Sequence, residues 1–377
     1  MKRIGKEVCF LSASDSEPRK GEGSFVRLNN GDVMYVFTDY REGRADNSNA
    51  VLSACISSDG GESWGAPYTL IEKDDKAENI MSASLFRMND GNIGMVYLRK
   101  ERDCDSGITC MPVFVFSSDE GRSWSEAVPC TERIGYYCVI NDGVIVQRSG
   151  RILVPMAYHG TSFVPNRGFT DHPSGSVKFA FSDDNGKSWH DLRAEIFSPY
   201  NDTVGLAEPG VYECENGELW MWCRTAYGFQ YQSFSRDGGI SWTPAEPNLF
   251  LTSPDAPMRV KRVGEYTVAI FNPIPHNFFS HTREDFGAPK RTPLACAVCR
   301  NDGRSFVLAG EHSIRRQLCD LEGTLHLLED DRSESYCYPA IIEVDDGFLV
   351  GYYHSGGTGH CLTCNKITKV YYSELME

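Results

Sequence analysis

Ser57-Ser58-Asp59-Gly60-Gly61-Glu62-Ser63-Trp64 decides the fold, because the same pattern returns along the chain. It recurs as Ser117, Asp119, Gly121, Ser123 and Trp124, and as Ser182, Asp184, Gly186, Ser188 and Trp189. A fourth copy has Ser235, Asp237, Gly239, Ser241 and Trp242. A decayed fifth copy reads Cys299-Arg300-Asn301-Asp302-Gly303-Arg304-Ser305-Phe306. Successive copies start 60, 65, 53 and 64 residues apart, a period in the range of repeat architectures. The aspartate can accept hydrogen bonds from the amides of its own loop, as Asx turns do. The glycine supplies a positive φ, and the tryptophan offers a large ring to tuck between sheets. Runs such as Val113-Phe-Val-Phe116 and Lys178-Phe-Ala-Phe181 lead into the motif, so it closes a β-hairpin.

Between the copies lies a second pattern, a polar turn feeding an apolar run. It occurs as Asn30-Gly31 before Val33, Asp90-Gly91 before Ile93, and Ser149-Gly150 before Ile152. It continues as Asn216-Gly217 before Leu219, Val263-Gly264 before Tyr266, and Asp346-Gly347 before Phe348. Six turn–strand units with two hairpins each predict an all-β, six-bladed β-propeller. That closed ring protects strand edges and occupies residues 1–377 as a single domain. No sustained helical periodicity competes.

Composition narrows the function. Aromatics make up 12% of the chain, with 35 glycines and 18 prolines breaking short apolar runs, which suits β structure. A net charge of −15 argues against nucleic acid and anionic membranes as partners, since both select basic patches. The opening MKRIGKEVCFLSASD has no apolar run of export-signal length, and no stretch is apolar enough to span a bilayer. With fourteen cysteines, this predicts reduced thiols and a cytoplasmic protein. Most cysteines read as small buried residues. Cys296 and Cys299 share a strand-like run and face opposite sides of a sheet. His360, Cys361 and Cys364 with His354 form the better metal cluster, but no second Cys-x-x-Cys completes it, so neither metal nor other cofactor is expected.

The repeated turn is the Asp box, and the chain resembles the sialidase (neuraminidase) superfamily of six-bladed propellers. Gly205-Leu-Ala-Glu208-Pro is similar to the segment carrying the acidic partner of the family's nucleophile. Arg224 ends Leu219-Trp-Met-Trp-Cys-Arg224 as an arginine of the carboxylate-binding triad ends its strand. Phe271-Asn-Pro273 followed by Lys290-Arg291-Thr-Pro-Leu294 resembles the stretch giving the last triad arginine, with Arg259 and Arg304 as competitors. Tyr336-Cys-Tyr338-Pro-Ala matches the nucleophile segment, and counting back from Gly347 selects Tyr338. Arg41-Glu-Gly-Arg-Ala-Asp46 resembles the loop bearing the acid/base aspartate, with Arg41 loop-stabilising or substrate-facing. Tyr136-Tyr137 and Asn141-Asp142 are candidates to line the same face, Asp142 as a turn residue. One segment departs. Where the family carries an Arg-Ile-Pro run, this chain reads Lys20-Gly21-Glu22-Gly23-Ser24-Phe25, putting Gly21 or Glu22 at the first arginine's place. Lys20 or Arg19 is the cation placed to reach inward instead.

The resemblance implies retaining hydrolysis through a tyrosyl intermediate, the sialidase exception to the paired-carboxylate rule. A carboxylate nucleophile would be repelled by an anomeric carbon that bears its own carboxylate, whereas a phenol with a pKa near ~10 is neutral. Glu208 would take the Tyr338 proton, and Asp46 would serve the leaving oxygen as acid and later as base. Arg224 and Arg291 would hold the substrate's acid group. Glu22 is placed to accept a substrate hydroxyl or to pair with an arginine. The expected partner is a glycoside or oligosaccharide with a terminal acidic sugar. The alternative is a non-catalytic glycan-binding propeller.

Overall fold

A computed structural model of the protein describes residues 2–103, 107–165, 168–200, 204–275, 291–300, 306, 325–358 and 362–375. Nearly all regular structure in them is β, with one short 3-10 turn at Tyr372–Glu374. No helix among them is long and apolar enough to cross a membrane.

All six turn–strand units form antiparallel hairpins. The first contains strands Arg19–Arg27, Val33–Tyr40, Ala50–Ser57 and Tyr68–Ile71. The second contains Ala77–Arg87, Ile93–Asp103, Gly107–Ser117 and Val128–Pro129. The third is built on the long hairpin Ile152–Val164 with Gly168–Ser182, flanked by Tyr137–Cys138, Ile145–Val146 and His190–Asp191. The fourth runs Ala207–Glu213, Leu219–Arg224, Phe229–Ser235 and Glu246–Thr252. The fifth runs Arg259–Val263, Tyr266–Phe271, Leu294–Cys299 and Leu325–Glu329. The sixth, Tyr336–Val344, Gly347–His354 and Cys364–Tyr371, takes its fourth strand from the other end of the chain, Lys6–Leu11.

The apolar residues of these strands bury their faces between consecutive units. One cluster joins Val26, Met34 and Leu52 of the first unit to Leu85, Met95 and Val113 of the second. Others join the second to the third, the third to the fourth, the fourth to the fifth and the fifth to the sixth. A further cluster packs Ala340, Leu349 and Ile367 of the sixth unit on Phe25, Tyr35 and Phe37 of the first.

The four intact Asp boxes repeat one hydrogen-bond scheme at the hairpin ends. In each, the first serine Oγ donates 2.8 Å to the aspartate. The second serine donates from its amide at 2.9–3.0 Å and from its hydroxyl at 2.5–2.6 Å. These bonds, the Ser63 hydroxyl first for Asp59, lower each aspartate's pKa to about 2. The tryptophans do pack between units: Trp242 stacks on Phe179 of the preceding unit at 4.6 Å, and Trp189 meets Phe114 at 5.3 Å. Of the decayed fifth copy, residues 301–305 lie outside the described residues, while Phe306 is buried beside Phe250.

Candidate active site

The first strand of four of the units is broken near its start by a register shift that spans two residues. The shifts fall between Lys20 and Gly23, Met81 and Ser84, Ala207 and Gly210, and Cys337 and Ala340. The first residue inside each bulge is therefore Gly21, Ser82, Glu208 or Tyr338. Three of the four have positive φ: 56° at Ser82, 48° at Glu208 and 56° at Tyr338. A bulge re-aims a side chain that an unbroken strand would point into a sheet face, and backbone held at positive φ concentrates at functional sites.

The result is a compact polar cluster. Tyr338 Oη donates to Glu208 Oε1 at 2.5 Å, and Arg224 Nη1 donates to Glu208 Oε2 at 2.9 Å and to Tyr338 Oη at 3.1 Å. Arg224 is held from behind by Asp255, to which its Nε donates. The Arg291 guanidinium lies 5.6 Å from the Tyr338 ring centre, with its Nε donating to the Asp255 carbonyl at 3.1 Å. Asn141 donates 3.2 Å to the Tyr338 carbonyl, so it braces the nucleophile candidate from the third unit. Burial, then the Glu208 charge, pushes the Tyr338 phenol well above its ordinary pKa, against the pull of Arg224 and Arg291. The phenol is thus neutral at rest with a base already in contact. Burial opposes ionisation of Asp255, but Arg224 outweighs it and holds that carboxyl below the usual range.

Facing this cluster is Arg19, only 1% exposed. Its Nε donates to Tyr353 Oη at 2.7 Å, and its Nη1 donates to Asp46 Oδ1 at 2.6 Å and to the Arg44 carbonyl at 3.0 Å. Nη2 reaches Glu22 at 3.4 Å. Tyr353 in turn meets the Tyr338 ring edge-on at 5.8 Å, so the two halves are joined through aromatic contact. Desolvation raises the Asp46 pKa, but Arg19 and Lys100 outweigh it and hold the carboxyl below the usual range. With 60% of the Asp46 side chain exposed, water screens these charges and the carboxyl is open to an incoming ligand. Glu22 is raised by burial first, against the attraction of Arg19.

The structure therefore brings Asp46, Glu208, Tyr338, Arg224, Arg291 and Glu22 to one site. Arg41 stands apart: it pairs with Glu17 at 2.5 Å and with Asp39 at 3.0 Å, beside Lys20, along a separate cavity of about 510 Å³. That position fits loop stabilisation. The open choice between Gly21 and Glu22 also closes. Gly21 holds the bulge place of Glu208 and Tyr338, and a Cβ there would lie 2.8 Å from both Thr38 Cβ and Tyr353 Oη. Tyr353 Oη fills that space and accepts from Arg19 Nε, so a guanidinium from two residues earlier stands beside the Gly21 bulge. Arg259 does not compete with Arg291 here; it meets Asp142, at 3.6 Å. Asp142 is a turn residue, yet its Oδ2 also accepts from the Ile341 amide of the sixth unit at 3.0 Å. Asp255 and Tyr353 are the residues that sequence reasoning left without a role, and of the two cations it offered, Arg19 turns inward while Lys20 pairs with Glu17 and Asp39. A short-spaced Arg-Lys-Gly in place of Arg-Ile-Pro was the only signal for Arg19. Cys296 and Cys299 lie in one strand as expected, whereas His360 and Cys361 fall outside the described residues. Among the described residues no group of His, Cys, Asp and Glu is arranged to hold a metal ion.

Known proteins resemble this chain in family and in fold. A family model described as a BNR repeat-like domain matches residues 37–351. The anhydrosialidase of Macrobdella decora is 28% identical over 141 residues, 35% of this chain and 16% of that protein's length. Among solved structures, a Dyadobacter fermentans protein of unknown function aligns with a TM-score of 0.69 at 18% identity, covering 97% of this chain and 99% of that one. A leech intramolecular trans-sialidase complexed with 2,7-anhydro-Neu5Ac aligns with a TM-score of 0.68 at 14% identity, covering 100% and 71%. At such identities the structural likeness speaks for the fold.

Proposed function

Because the chain belongs to the BNR repeat-like domain family, within the sialidase superfamily, we propose that it is a sialidase-like glycoside hydrolase. In this reading it is exo-acting and retaining, and removes a terminal acidic sugar through a tyrosine nucleophile. The observation that carries the reading is the 2.5 Å bond from Tyr338 Oη to Glu208, with Arg224 bonded to both. A neutral phenol in contact with its base suits attack on a carbon that carries a carboxylate, and the arginines suit that carboxylate.

In the proposed reaction, Glu208 takes the phenolic proton as Tyr338 oxygen bonds to the anomeric carbon and the bond to the leaving oxygen breaks. Asp46 gives the leaving oxygen its proton, then takes one from the water that releases the sugar from Tyr338, and Glu208 returns its proton to the phenol. Arg19 favours the ionised Asp46. A substrate carboxylate engaging Arg224 and Arg291 adds negative charge nearby and raises the Asp46 pKa toward that of an acid. Glu22 fits a substrate hydroxyl, the role open to a buried acid beside Arg19. We further read the six units as six blades closed round one axis in a single domain. Support comes from the pairing of the first strand with the last and from apolar clusters joining each unit to the next.

The test is turnover of aryl and oligosaccharide glycosides of sialic acid, related keto acids and uronic acids by wild type, Tyr338→Phe and Asp46→Ala. Tyr338→Phe as active as wild type sinks the mechanism. Glycan binding without turnover of any glycoside gives the non-catalytic alternative. Product mass separates hydrolysis from the intramolecular transfer suggested by the leech neighbour, whose anhydro product is lighter by one water.

A further inference from the structure

A second cavity, of about 970 Å³, lies at the far end of the strands that bring Glu22, Glu208 and Tyr338 to the cluster. Its walls come from all six units: the same strand that carries Glu22 ends at Arg27, the one with Glu208 at Glu213, and the one with Tyr338 near Ile342. None of the residues proposed for hydrolysis lines it, so its size does not bear on that chemistry. Its charge is unusual for a chain of net −15. Six cationic side chains line it, Arg27, Arg87, Arg148, Arg259, Lys261 and Arg262, against the two acids Glu213 and Asp345.

Four of the cations are already matched. Arg27 pairs with Asp345 at 2.5 Å, Arg87 with Glu120 at 2.8 Å, Arg148 with Glu213 at 3.6 Å and Arg262 with Glu215 at 3.3 Å. The other two share one carboxylate. Lys261 Nζ donates to Asp142 Oδ1 at 2.7 Å, and Arg259 Nε lies 3.6 Å from Oδ2. That carboxylate also accepts from Ser24 Oγ at 3.1 Å and from the Ile341 amide at 3.0 Å. Arg259 is 1% exposed, and its Nε and Nη1 have no hydrogen-bond partner among the described residues. Burial pushes both Arg259 and Lys261 below their ordinary pKa values, Asp142 offsetting only part of it. A buried guanidinium with unmade bonds, at the end of a cationic cavity, is costly unless an anion completes it.

We propose that this cavity is a binding site for a small anion whose carboxylate or phosphate group docks on Arg259 and Lys261. A planar guanidinium offers paired N–H donors to either group, and the partly exposed Lys261 adds a second charge at the cavity wall. The site stands at the opposite end of the strands from Tyr338 and does not depend on the proposed hydrolysis.

The test is calorimetric titration of the full chain with inorganic phosphate and, separately, acetate, at constant ionic strength set with chloride. Because Arg224 and Arg291 could also attract these ions, each titration is repeated in Arg224→Met. Binding that persists in Arg224→Met and weakens about tenfold or more in Arg259→Met and in Lys261→Met is the expected result. Phosphate binding with weak acetate binding identifies a phosphate ligand, and the reverse a carboxylate. No binding of either ion overturns the proposal, as does binding lost in Arg224→Met or unchanged in both cavity variants. Should Arg259→Met fail to fold, Lys261→Met, whose side chain is 31% exposed, decides alone.

Discussion

Gly60, Glu120, Asn185 and Gly238 sit at one place in four Asp boxes, with φ of 71°, 62°, 58° and 72°. Ser82, Glu208 and Tyr338 sit at one place in three inner-strand bulges, with φ of 56°, 48° and 56°. The backbone device is nearly the same in both regions, but the side chains answer to different demands. In the boxes the left-handed residue is free to vary because the fixed serines and aspartate make the bonds. At two of the bulges the left-handed residue, Glu208 or Tyr338, is itself a member of the polar cluster, and that backbone aims it there. Repetition thus goes with the turns here, and departure from repetition with the polar cluster.

The sharpest way to break the comparison is at the bulge. Tyr338→Phe should lower kcat about 10³-fold or more while leaving the melting temperature within error, measured on a sialoside by steady-state kinetics and calorimetry. A loss of stability with little loss of rate would make the bulge structural, like the boxes. Asp46→Ala should cost about 10²- to 10⁴-fold on an oligosaccharide and much less on an aryl glycoside, whose leaving group needs no proton. In Arg19→Gln the Asp46 pKa should rise, because the cation that holds it down is gone. The rate limb set by that carboxyl should then move to higher pH, which a pH–rate profile would read.

The outer region should behave in the opposite way. Asp184→Ala removes the acceptor for both Ser188 donors and for Ser182, and should lower unfolding stability by about 1–2 kcal/mol with kcat unchanged. Its pKa is lowered from 3.8 to about 2 in the folded state, first by the Ser188 hydroxyl, so the ionised form is the stabilising one. The stability gap between wild type and Asp184→Ala should be full above pH 3.8 and close as pH falls through about 2, followed by chemical denaturation. The smallest effect is expected at Asn185→Gly, which copies Gly60 and Gly238 and should change stability by less than about 1 kcal/mol.

The six turn–strand pairs were legible because a turn and the apolar run after it are local facts: Asn216-Gly217 before Leu219 needs no distant partner to form. Glu208, Arg224 and Tyr338 were legible because each lies at a fixed offset from such a turn. Arg41 shows the limit, since Arg41 and Asp46 share one loop and only the fold sends Arg41 to Glu17 and Asp39. At the first bulge, sequence spacing left Gly21 and Glu22 equivalent. The contact of Gly21 with Thr38 and Tyr353 separates them, and Tyr353 lies more than three hundred residues away.

By itself, then, the sequence determined the β repeat and the Asp-box turns, which follow from short-range pattern, and the family resemblance of segments at fixed offsets from those turns pointed to Tyr338, Glu208 and Arg224. Only the tertiary structure decided that Arg19 joins Asp46 to Tyr353, that Asp255 braces Arg224, and that Arg259 and Lys261 share Asp142 at the far end of the strands. These arrangements join side chains from different units. The energies that select them, charge pairing and desolvation, depend on distances the chain acquires only on folding.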